Sequence, residues 1–319
     1  MNKYTGLTAL AQQYLKYRRD LGFQLKIEGK QVLAFAEYAD RSGHKGAIST
    51  DLALTWARLP KGVSTLYHAR RLEVVRCFAK YASIFDEATE IPAKGLLGKA
   101  HRRVQPHIYS GEELRELICA ASGLSPAGGL RPQTYAVLFG LLASTGLRIS
   151  EALRLNRNDV DLDQGVMTIA ETKFHKSRLV PLHSSSIKHL KEYARFRDAY
   201  HCAPLSERFL LSERGGELKY STVRTTFQAI LHDLGWEGAS GAQRPRLYDF
   251  RHTFACRRLL AWCRDGTDLN HAILALSTYM GHERVTDTYW YLTGTTELMQ
   301  VASEKFRLFD HHSKQELLQ

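Results

Sequence analysis

The sequence predicts a mainly α-helical protein with a small antiparallel β-sheet, organised as two domains. The first observation is length, since 319 residues suffice for about two domains of ordinary size. The second is periodicity, because apolar residues recur every three or four positions through most of the chain and alternate only between 159 and 182. A hydrophobic fraction of 44% and a charged fraction of 24% are ordinary for a globular protein and exclude a disordered or collagen-like chain.

The first domain is predicted to span 1–98 and to be helical, because it is rich in Ala, Leu, Gln, Lys and Glu. Pro60 is expected to end the third helix. The four predicted helices are Leu7–Leu21, Gly29–Arg41, a short helix capped by Thr50 that runs to Arg58, and Ser64–Tyr81.

Positive charge is concentrated in the first third of the chain. Residues 1–109 hold eighteen Lys or Arg and nine Asp or Glu, so they account for +9 of the net charge of +11. The sequence pI is about 9.4, and a pI above about 9 is typical of nucleic-acid-binding domains. A solvated basic surface would give the same count, so the charge favours DNA contact without establishing it.

The segment 99–109 is predicted to link the two domains, because it is basic, contains Pro106 and lacks helical periodicity. The second domain is predicted to span 110–319. Ser110 and Glu113 have the spacing of a capping box, which predicts a helix beginning there.

The second domain is predicted to mix helices with a few short strands. Helices are expected over 133–143, from Ile149, and from Ser186 to the end of the chain. Alternating and β-branched residues predict strands at 159–162, 166–170 and 178–182, the first two joined by a turn. Pro181 is expected at a sheet edge or a strand end, because proline cannot donate to a neighbouring strand.

Several classes of protein are excluded. The longest apolar run, 135–143, is far short of the ~20 residues that a spanning helix needs, so no membrane contact is expected. The N-terminal segment lacks an apolar signal core. The five cysteines include no CxxC pair, which favours reduced thiols in a cytoplasmic protein over disulfides or a zinc site. No metal or cofactor is expected.

Two segments of the second domain carry cations in unusual places. Arg148 follows a glycine and opens a helix, where its guanidinium and the backbone N–H groups would suit a phosphate. Taken alone, a surface arginine is the simpler interpretation. Lys173, Lys176 and Arg178 lie in the turn between the second and third strands. Edge protection of the sheet would also explain them.

Two later segments combine cations with aromatic residues. Arg251 and His252 are flanked by apolar residues, so Arg251 is expected to be partly buried and to require an anion. His282 precedes an aromatic run, 288–292, which alone would be assigned to a core.

These four segments resemble, in order and spacing, the conserved boxes of the tyrosine recombinases, also called the phage integrase family. Thr145–Glu151 matches TGLRxSE, and Lys173 precedes an R-x-V-P-L strand. Tyr248–Ala255 resembles the second box, H-x-L-R-H-T/S-F-A. His282 is followed nine residues later by Tyr291, as in the last box. The resemblance covers about 110–309, and the TYWYL ending is most similar to transposon-associated members.

The resemblance implies a helical core-binding domain followed by a mixed α/β catalytic domain that cleaves and rejoins double-stranded DNA without metal or ATP. Tyr291 would attack a phosphodiester, leaving a 3′-phosphotyrosyl link and a free 5′-hydroxyl. The guanidinium groups of Arg148 and Arg251 would stabilise the phosphate, and Lys173 would protonate the leaving oxygen. His282 would contact the phosphate or assist proton transfer, and Glu151 would brace the site.

One position departs from the family pattern, and two others have alternatives. Tyr248 occupies the place of the usual histidine, and a phenol is a poor base at neutral pH, so the proton acceptor for the nucleophile is open. Lys176 is an alternative acid to Lys173. Tyr289 is an alternative nucleophile, but the family spacing favours Tyr291 and places Tyr289 in the core.

The resemblance also implies assembly and leaves rival functions open. A monomer in solution would form a tetramer on two DNA sites, of one recombinase or with a partner recombinase. An apolar helix at 297–309 could dock on its own body or on a neighbour. Integration, excision and transposition of a mobile element are the expected outcomes. The rivals are a DNA-binding protein of this fold without catalysis, a helix-turn-helix regulator, and a metal-dependent nuclease, which the scattered carboxylates disfavour.

Overall fold

A computed structural model describes residues 6–101, 104–170, 177–236 and 244–293. The chain divides into two compact units, 1–104 and 105–319. The division falls inside the basic segment 99–109. Among the described residues, no helix is long and apolar enough to cross a membrane.

The described part of the first unit contains four helices, as its periodicity predicts. They are α1 (Leu7–Asp20), α2 (Glu28–Arg41), α3 (Thr50–Arg58) and α4 (Thr65–Ala82). Their apolar faces meet in one core, in which the edge of Phe35 meets the rings of Trp56 and Phe78. Ser49, not the predicted Thr50, caps α3. Its backbone is extended and its hydroxyl accepts a hydrogen bond from the Leu52 N–H, whereas Thr50 is already helical.

The second unit is mixed, in agreement with the predicted fold class. Its helices are α5 (Gly111–Ser122), α6 (Leu130–Thr145), α7 (Ile149–Ala152), α8 (Ser184–Tyr200), α9 (Tyr220–Asp233), α10 (Asp249–Arg264), α11 (Leu269–Met280) and α12 (Thr286–Tyr289). Short 3₁₀ turns cover Arg157–Asp159 and Trp290–Thr293. The predicted capping box of α5 is confirmed, because the side chains and backbones of Ser110 and Glu113 bond each other reciprocally.

The three predicted strands are confirmed and form an antiparallel sheet in the order β1 (Val160–Asp161), β2 (Val166–Ile169) and β3 (Arg178–Pro181). Met167 pairs with Val180, and both side chains are buried. Pro181 is the last residue of β3, a place where its missing N–H costs no ladder bond.

Two expectations for the second unit are wrong. Helix α6 begins at Leu130, three residues before the predicted Gln133, because Pro132 is compatible with a first helical turn. The chain is not helical over 201–219. There Leu211 forms a bridge with Glu217 around a turn that contains two glycines.

Helix α10 joins the two apolar clusters of the second unit. Phe250 lies in the main cluster, with α5, α6 and the sheet. Phe254 and Leu259 lie in a second cluster with α11 and Tyr291. Tyr109, the last residue of the predicted linker, is buried here and stacks on Phe250, so it packs as part of the second unit. The predicted site residues of α10 therefore sit between two cores.

Candidate active site

Arg148 is placed by a sharp turn after α6. Gly146 ends this helix with a φ of +63°, a conformation that favours glycine. A Cβ at this position would lie 2.5 Å from a ring carbon of Phe254, so the close packing also requires glycine. The chain then turns into α7, and Arg148 lies immediately before the first residue of α7.

Glu151 braces two arginines from inside the protein. Its side chain is buried, and Oε1 accepts hydrogen bonds from Nη1 of Arg148 at 2.7 Å and Nη1 of Arg178 at 3.2 Å. Oε2 accepts from the Arg148 backbone N–H at 3.0 Å and from Nη2 of Arg178 at 2.9 Å. Burial acts to raise the pKa of Glu151, but the bonds and charges of Arg178 and Arg148 outweigh it and lower the pKa to about 2. The carboxylate is therefore ionised at neutral pH.

One expectation is answered in part at Arg148. Backbone N–H groups at the start of α7 were expected to converge with its guanidinium on a phosphate. The Arg148 N–H is instead bonded to Glu151, so this one group is not available to an anion. About a third of the Arg148 side chain, 32%, is exposed.

Arg251 is more deeply buried than the predicted partly buried arginine, with 1% of its surface exposed. Nη1 donates to the Gly146 carbonyl at 2.8 Å, and Nη2 donates to the Met280 carbonyl at 2.6 Å. Nε is buried and has no hydrogen-bond partner among the described residues. Burial, followed by the charge of Arg148, lowers the pKa of Arg251. A buried guanidinium with a free donor favours an incoming anion.

Arg178 is a member of the site that sequence reasoning missed. It was placed among the cations of the turn between β2 and β3, yet it begins β3 and 11% of its side chain is exposed. Besides its two bonds to Glu151, its Nε donates to the Tyr279 carbonyl at 2.8 Å. The sequence signal for Arg178 is that it is the first residue of the R-x-V-P-L motif. Its neighbours in the sequence do not predict a bond to Glu151, which lies 27 positions earlier.

His282 and Tyr291 form a second group of side chains. His282 Nδ1 is 2.7 Å from the Thr288 hydroxyl oxygen, and its ring stacks on Tyr291 with 5.9 Å between centroids. Burial, followed by the charges of three arginines, lowers the pKa of His282 to about 3. A neutral imidazole at pH 7 can both donate and accept a hydrogen bond.

Tyr291 is buried, with 2% of its surface exposed, and its ring contacts the rings of His252 and His282. Burial raises its pKa to about 12 even though Arg251 acts to lower it. Tyr289 is 47% exposed, so the prediction that it belongs to the core is wrong. The two residues lie in consecutive short turns, α12 and Trp290–Thr293. Of the two, only Tyr291 belongs to the apolar cluster formed with residues of α10 and α11.

Tyr248 lies at the edge of the site and remains 47% exposed. Its ring contacts His252 at 4.9 Å between centroids. His252, to which the motif comparison gave no catalytic role, packs edge-on against Tyr291 at 5.3 Å. Burial lowers the pKa of His252 to about 4. The structure thus brings a second neutral imidazole beside Tyr291.

The remaining predicted positions lie outside the described residues. Lys173, the predicted acid, and its alternative Lys176 fall in 171–176, and the predicted C-terminal helix falls in 294–319. Within the ranges that the structure describes, no group of three His, Cys, Asp or Glu side chains could hold a metal ion.

Comparison with known proteins places this site in one family. Residues 110–297 match the family model described as the phage integrase family. The Sinorhizobium fredii protein y4rB, named as an integrase/recombinase, is 40% identical over 299 residues, covering 92% of this chain and 95% of that protein. Tyrosine recombinase XerC of Bacillus subtilis is 26% identical over 282 residues, covering 86% and 83%.

A solved structure agrees at the level of the fold. The Tn1549 transposon integrase, solved in complex with transposon right end DNA, superposes with a TM-score of 0.69 at 16% identity, covering 95% of this chain and 98% of that one. The family match spans more than half of the chain and includes the described residues of the candidate active site. The chain therefore belongs to the phage integrase family of tyrosine recombinases.

Proposed function

We propose that the protein is a site-specific recombinase that cleaves and rejoins double-stranded DNA through a phosphotyrosyl intermediate at Tyr291. One observation carries the proposal: the buried phenol of Tyr291 lies near enough to Arg251 for that cation to act on its pKa, and Arg251, 40 positions earlier in the chain, is itself buried with an Nε donor that is unpartnered within the described ranges. A nucleophile and an anion-binding group thus meet in one cluster. This is the geometry that attack on a phosphodiester requires.

In the proposed reaction, Tyr291 Oη forms a bond to phosphorus while the bond from phosphorus to the 5′-oxygen breaks. The phenol proton is lost, and the leaving 5′-oxygen gains a proton from Lys173. One phosphate ester replaces another, so the link can be reversed by a 5′-hydroxyl of another strand without ATP. Arg148 and Arg251 stabilise the added charge on the non-bridging oxygens.

Proton transfer from Tyr291 is assigned to a neighbouring neutral imidazole rather than to Tyr248. The pKa of Tyr291 is raised to about 12, so the phenol is protonated at neutral pH and needs an acceptor. His282 stacks on it and has a pKa lowered to about 3 by burial, so it is neutral and can accept a hydrogen bond from the phenol, although so low a pKa makes it a weak base. Tyr248 lies at the edge of the site and is exposed. His282 is therefore the proposed acceptor or hydrogen-bond partner.

The proposed partners follow from the basic first unit and from the relatives. The first unit, with +9 over residues 1–109, is proposed to bind the duplex as a core-binding domain. Four protomers on two sites, of this recombinase alone or with a partner, would exchange strands of a mobile element in the cytoplasm. The solved Tn1549 integrase, bound to transposon end DNA, supports the mobile-element role.

The alternative is a DNA-binding protein of the same fold without catalysis, and Tyr248 in place of the usual histidine favours it. Covalent trapping separates the two. The intact chain is incubated with random-sequence duplexes that carry a nick, so that a cleaved strand diffuses away and the adduct accumulates. The proposal predicts an SDS-resistant, protease-sensitive adduct that forms equally with EDTA. Binding without any adduct would establish the alternative.

A further inference from the structure

The C-terminal end of α11 is unusual in how its carbonyl groups are satisfied. The last carbonyls of a helix have no partner within the helix and must find one elsewhere. Two of them bond to the chain that follows. The His282 N–H donates to Ser277 and the Gly281 N–H donates to Thr278, each at 3.0 Å, as in a Schellman motif. Gly281 has the φ of +65° that this motif requires.

The next three carbonyls accept from three different arginines. Arg178 Nε donates to Tyr279, and Arg251 Nη2 donates to Met280. Arg148 Nη2 donates to the Gly281 carbonyl at 3.0 Å. The three arginines come from β3, from α10 and from the residue before α7. A helix C-terminus carries partial negative charge, so the end of α11 attracts the three arginine side chains and holds them close together.

Arg178 differs from the other two arginines because each of its three guanidinium nitrogens donates a hydrogen bond to the protein. Its Nε bonds the helix end, while Nη1 and Nη2 bond the two oxygens of Glu151. Glu151 in turn holds the backbone and side chain of Arg148. A Cβ on Gly281 would lie 2.8 Å from Nη1 of Arg178, so the guanidinium packs directly on the helix end.

We propose that Arg178 is a positioning residue for the recombination reaction. It fixes the end of α11 relative to Glu151. Through Glu151 it positions the guanidinium of Arg148, and through the end of α11 it positions the segment that leads to His282 and Tyr291. It donates to the protein with all three nitrogens, so the proposal gives it no contact with the phosphate. The inference rests on the proposed function and adds to it a residue that acts through others.

The role depends on geometry and not on charge alone. Lysine at this position would keep the positive charge, but one ammonium on a flexible stem cannot reproduce a planar fork that reaches a carbonyl and both oxygens of a carboxylate. Arg208 offers a matched control. Its Nε donates to Glu217 at 3.0 Å and its Nη1 donates to the Arg154 carbonyl at 2.8 Å, and neither partner belongs to the active site.

The test compares Arg178→Lys and Arg208→Lys with the wild-type chain on a duplex recovered by covalent trapping. Single-turnover cleavage at saturating DNA is expected to fall about 100-fold in Arg178→Lys, the size of effect that ~1 Å of misplacement produces. DNA affinity should match that of Arg208→Lys, and circular dichroism should show that both variants are folded at the assay temperature. An unchanged cleavage rate overturns the proposal, and so does a parallel loss of cleavage and affinity.

Hydrogen exchange gives a readout that needs no DNA. The amides of Gly281 and His282 should exchange faster in Arg178→Lys than in wild type or Arg208→Lys, because the end of α11 loses the hydrogen bond from Arg178 Nε to the Tyr279 carbonyl. If the wild-type chain forms no adduct with any duplex, the proposed function fails. Independently of that result, unchanged hydrogen exchange at Gly281 and His282 in Arg178→Lys would overturn the positioning role of Arg178.

Chemical rescue keeps the test decisive if the lysine variant folds poorly. In Arg178→Ala, added methylguanidinium should restore part of the cleavage rate, whereas methylammonium at the same concentration should not. Equal rescue by both cations would show that charge suffices and would contradict a geometric role.

Discussion

The two halves of the proposed active site differ in how their side chains are held. The arginine half is formed by Arg148, Glu151, Arg178 and Arg251, and the half with the proposed nucleophile, called the nucleophile half, by His282 and Tyr291. The arginine half is fixed by charged hydrogen bonds that join α7, β3, α10 and the end of α11. The nucleophile half is held mainly by ring stacking and burial. Charged hydrogen bonds are directional, whereas ring contacts tolerate small shifts.

The protonation states of the two halves differ in the same way. Glu151 has a pKa lowered to about 2, so the carboxylate of the arginine half is ionised at neutral pH. Burial raises the pKa of Tyr291 to about 12 and lowers that of His282 to about 3, so the nucleophile half is neutral. We infer that the anion site is formed in the free protein, while the nucleophile must lose a proton as it reacts.

The largest expected effect is loss of the nucleophile itself. Tyr291→Phe removes one hydroxyl and keeps the ring that packs on His252 and His282, so folding and DNA binding should be retained while covalent adduct falls to background. Tyr289→Phe is the matched control, because its ring is exposed two residues away, and it should cleave at the wild-type rate. Adduct formation on denaturing gels measures both. An active Tyr291→Phe would show that the nucleophile has been misassigned.

The second effect tests the arginine half. Arg251→Lys keeps a cation but cannot bond both the Gly146 and Met280 carbonyls, so single-turnover cleavage should fall by about 10²–10³-fold, as when one preorganised donor is lost. Arg197→Lys is the control, because Arg197 is also buried and donates to the Phe209 carbonyl at 3.0 Å, away from the site. Similar cleavage rates in the two variants would mean that the position of Arg251 in the site does not contribute to cleavage beyond the general effect of replacing a buried arginine.

The third effect concerns the free energy of unfolding. The pKa of Glu151 is lowered from 4.5 to about 2 in the folded state, so its contribution to stability is present above pH 4.5 and is lost as the pH falls towards 2. The shift corresponds to about 3 kcal/mol. Urea unfolding between pH 7 and pH 2 should show this loss in wild type and not in Glu151→Gln, whose stability should be lower at pH 7. If the free energies of unfolding of the two proteins change with pH in parallel, the ionised Glu151 does not stabilise the fold through Arg148 and Arg178.

The smallest effect is expected at Tyr248, which belongs to neither half. Since its ring is exposed, Tyr248→Phe should change the cleavage rate by less than about threefold, as is usual for surface substitutions. Single-turnover cleavage measures this directly. A loss comparable to that of Arg251→Lys would make the Tyr248 hydroxyl part of the proton pathway and would remove His282 from that role.

The comparison also explains what could be predicted from sequence. The helices of the first unit were predictable because amphipathic spacing is a local signal, and the motifs placed Arg148, Arg251 and Tyr291 in one site. Arg178 was missed because its partners, Glu151 and Tyr279, are 27 and 101 positions away. The exposure of Tyr289 was misjudged for a similar reason. Its surroundings are set by the turn after α11, not by the aromatic run in which it lies.

The most direct test of the division into two halves is to map the adduct. Wild-type protein trapped on a nicked duplex is digested with protease and nuclease, and the peptide that retains a nucleotide is sequenced by mass spectrometry. The nucleotide should be on Tyr291, the buried phenol whose pKa the charge of Arg251 acts to lower. A nucleotide on Tyr289, Tyr248 or any residue other than Tyr291 would contradict the assignment of nucleophile and anion site made here.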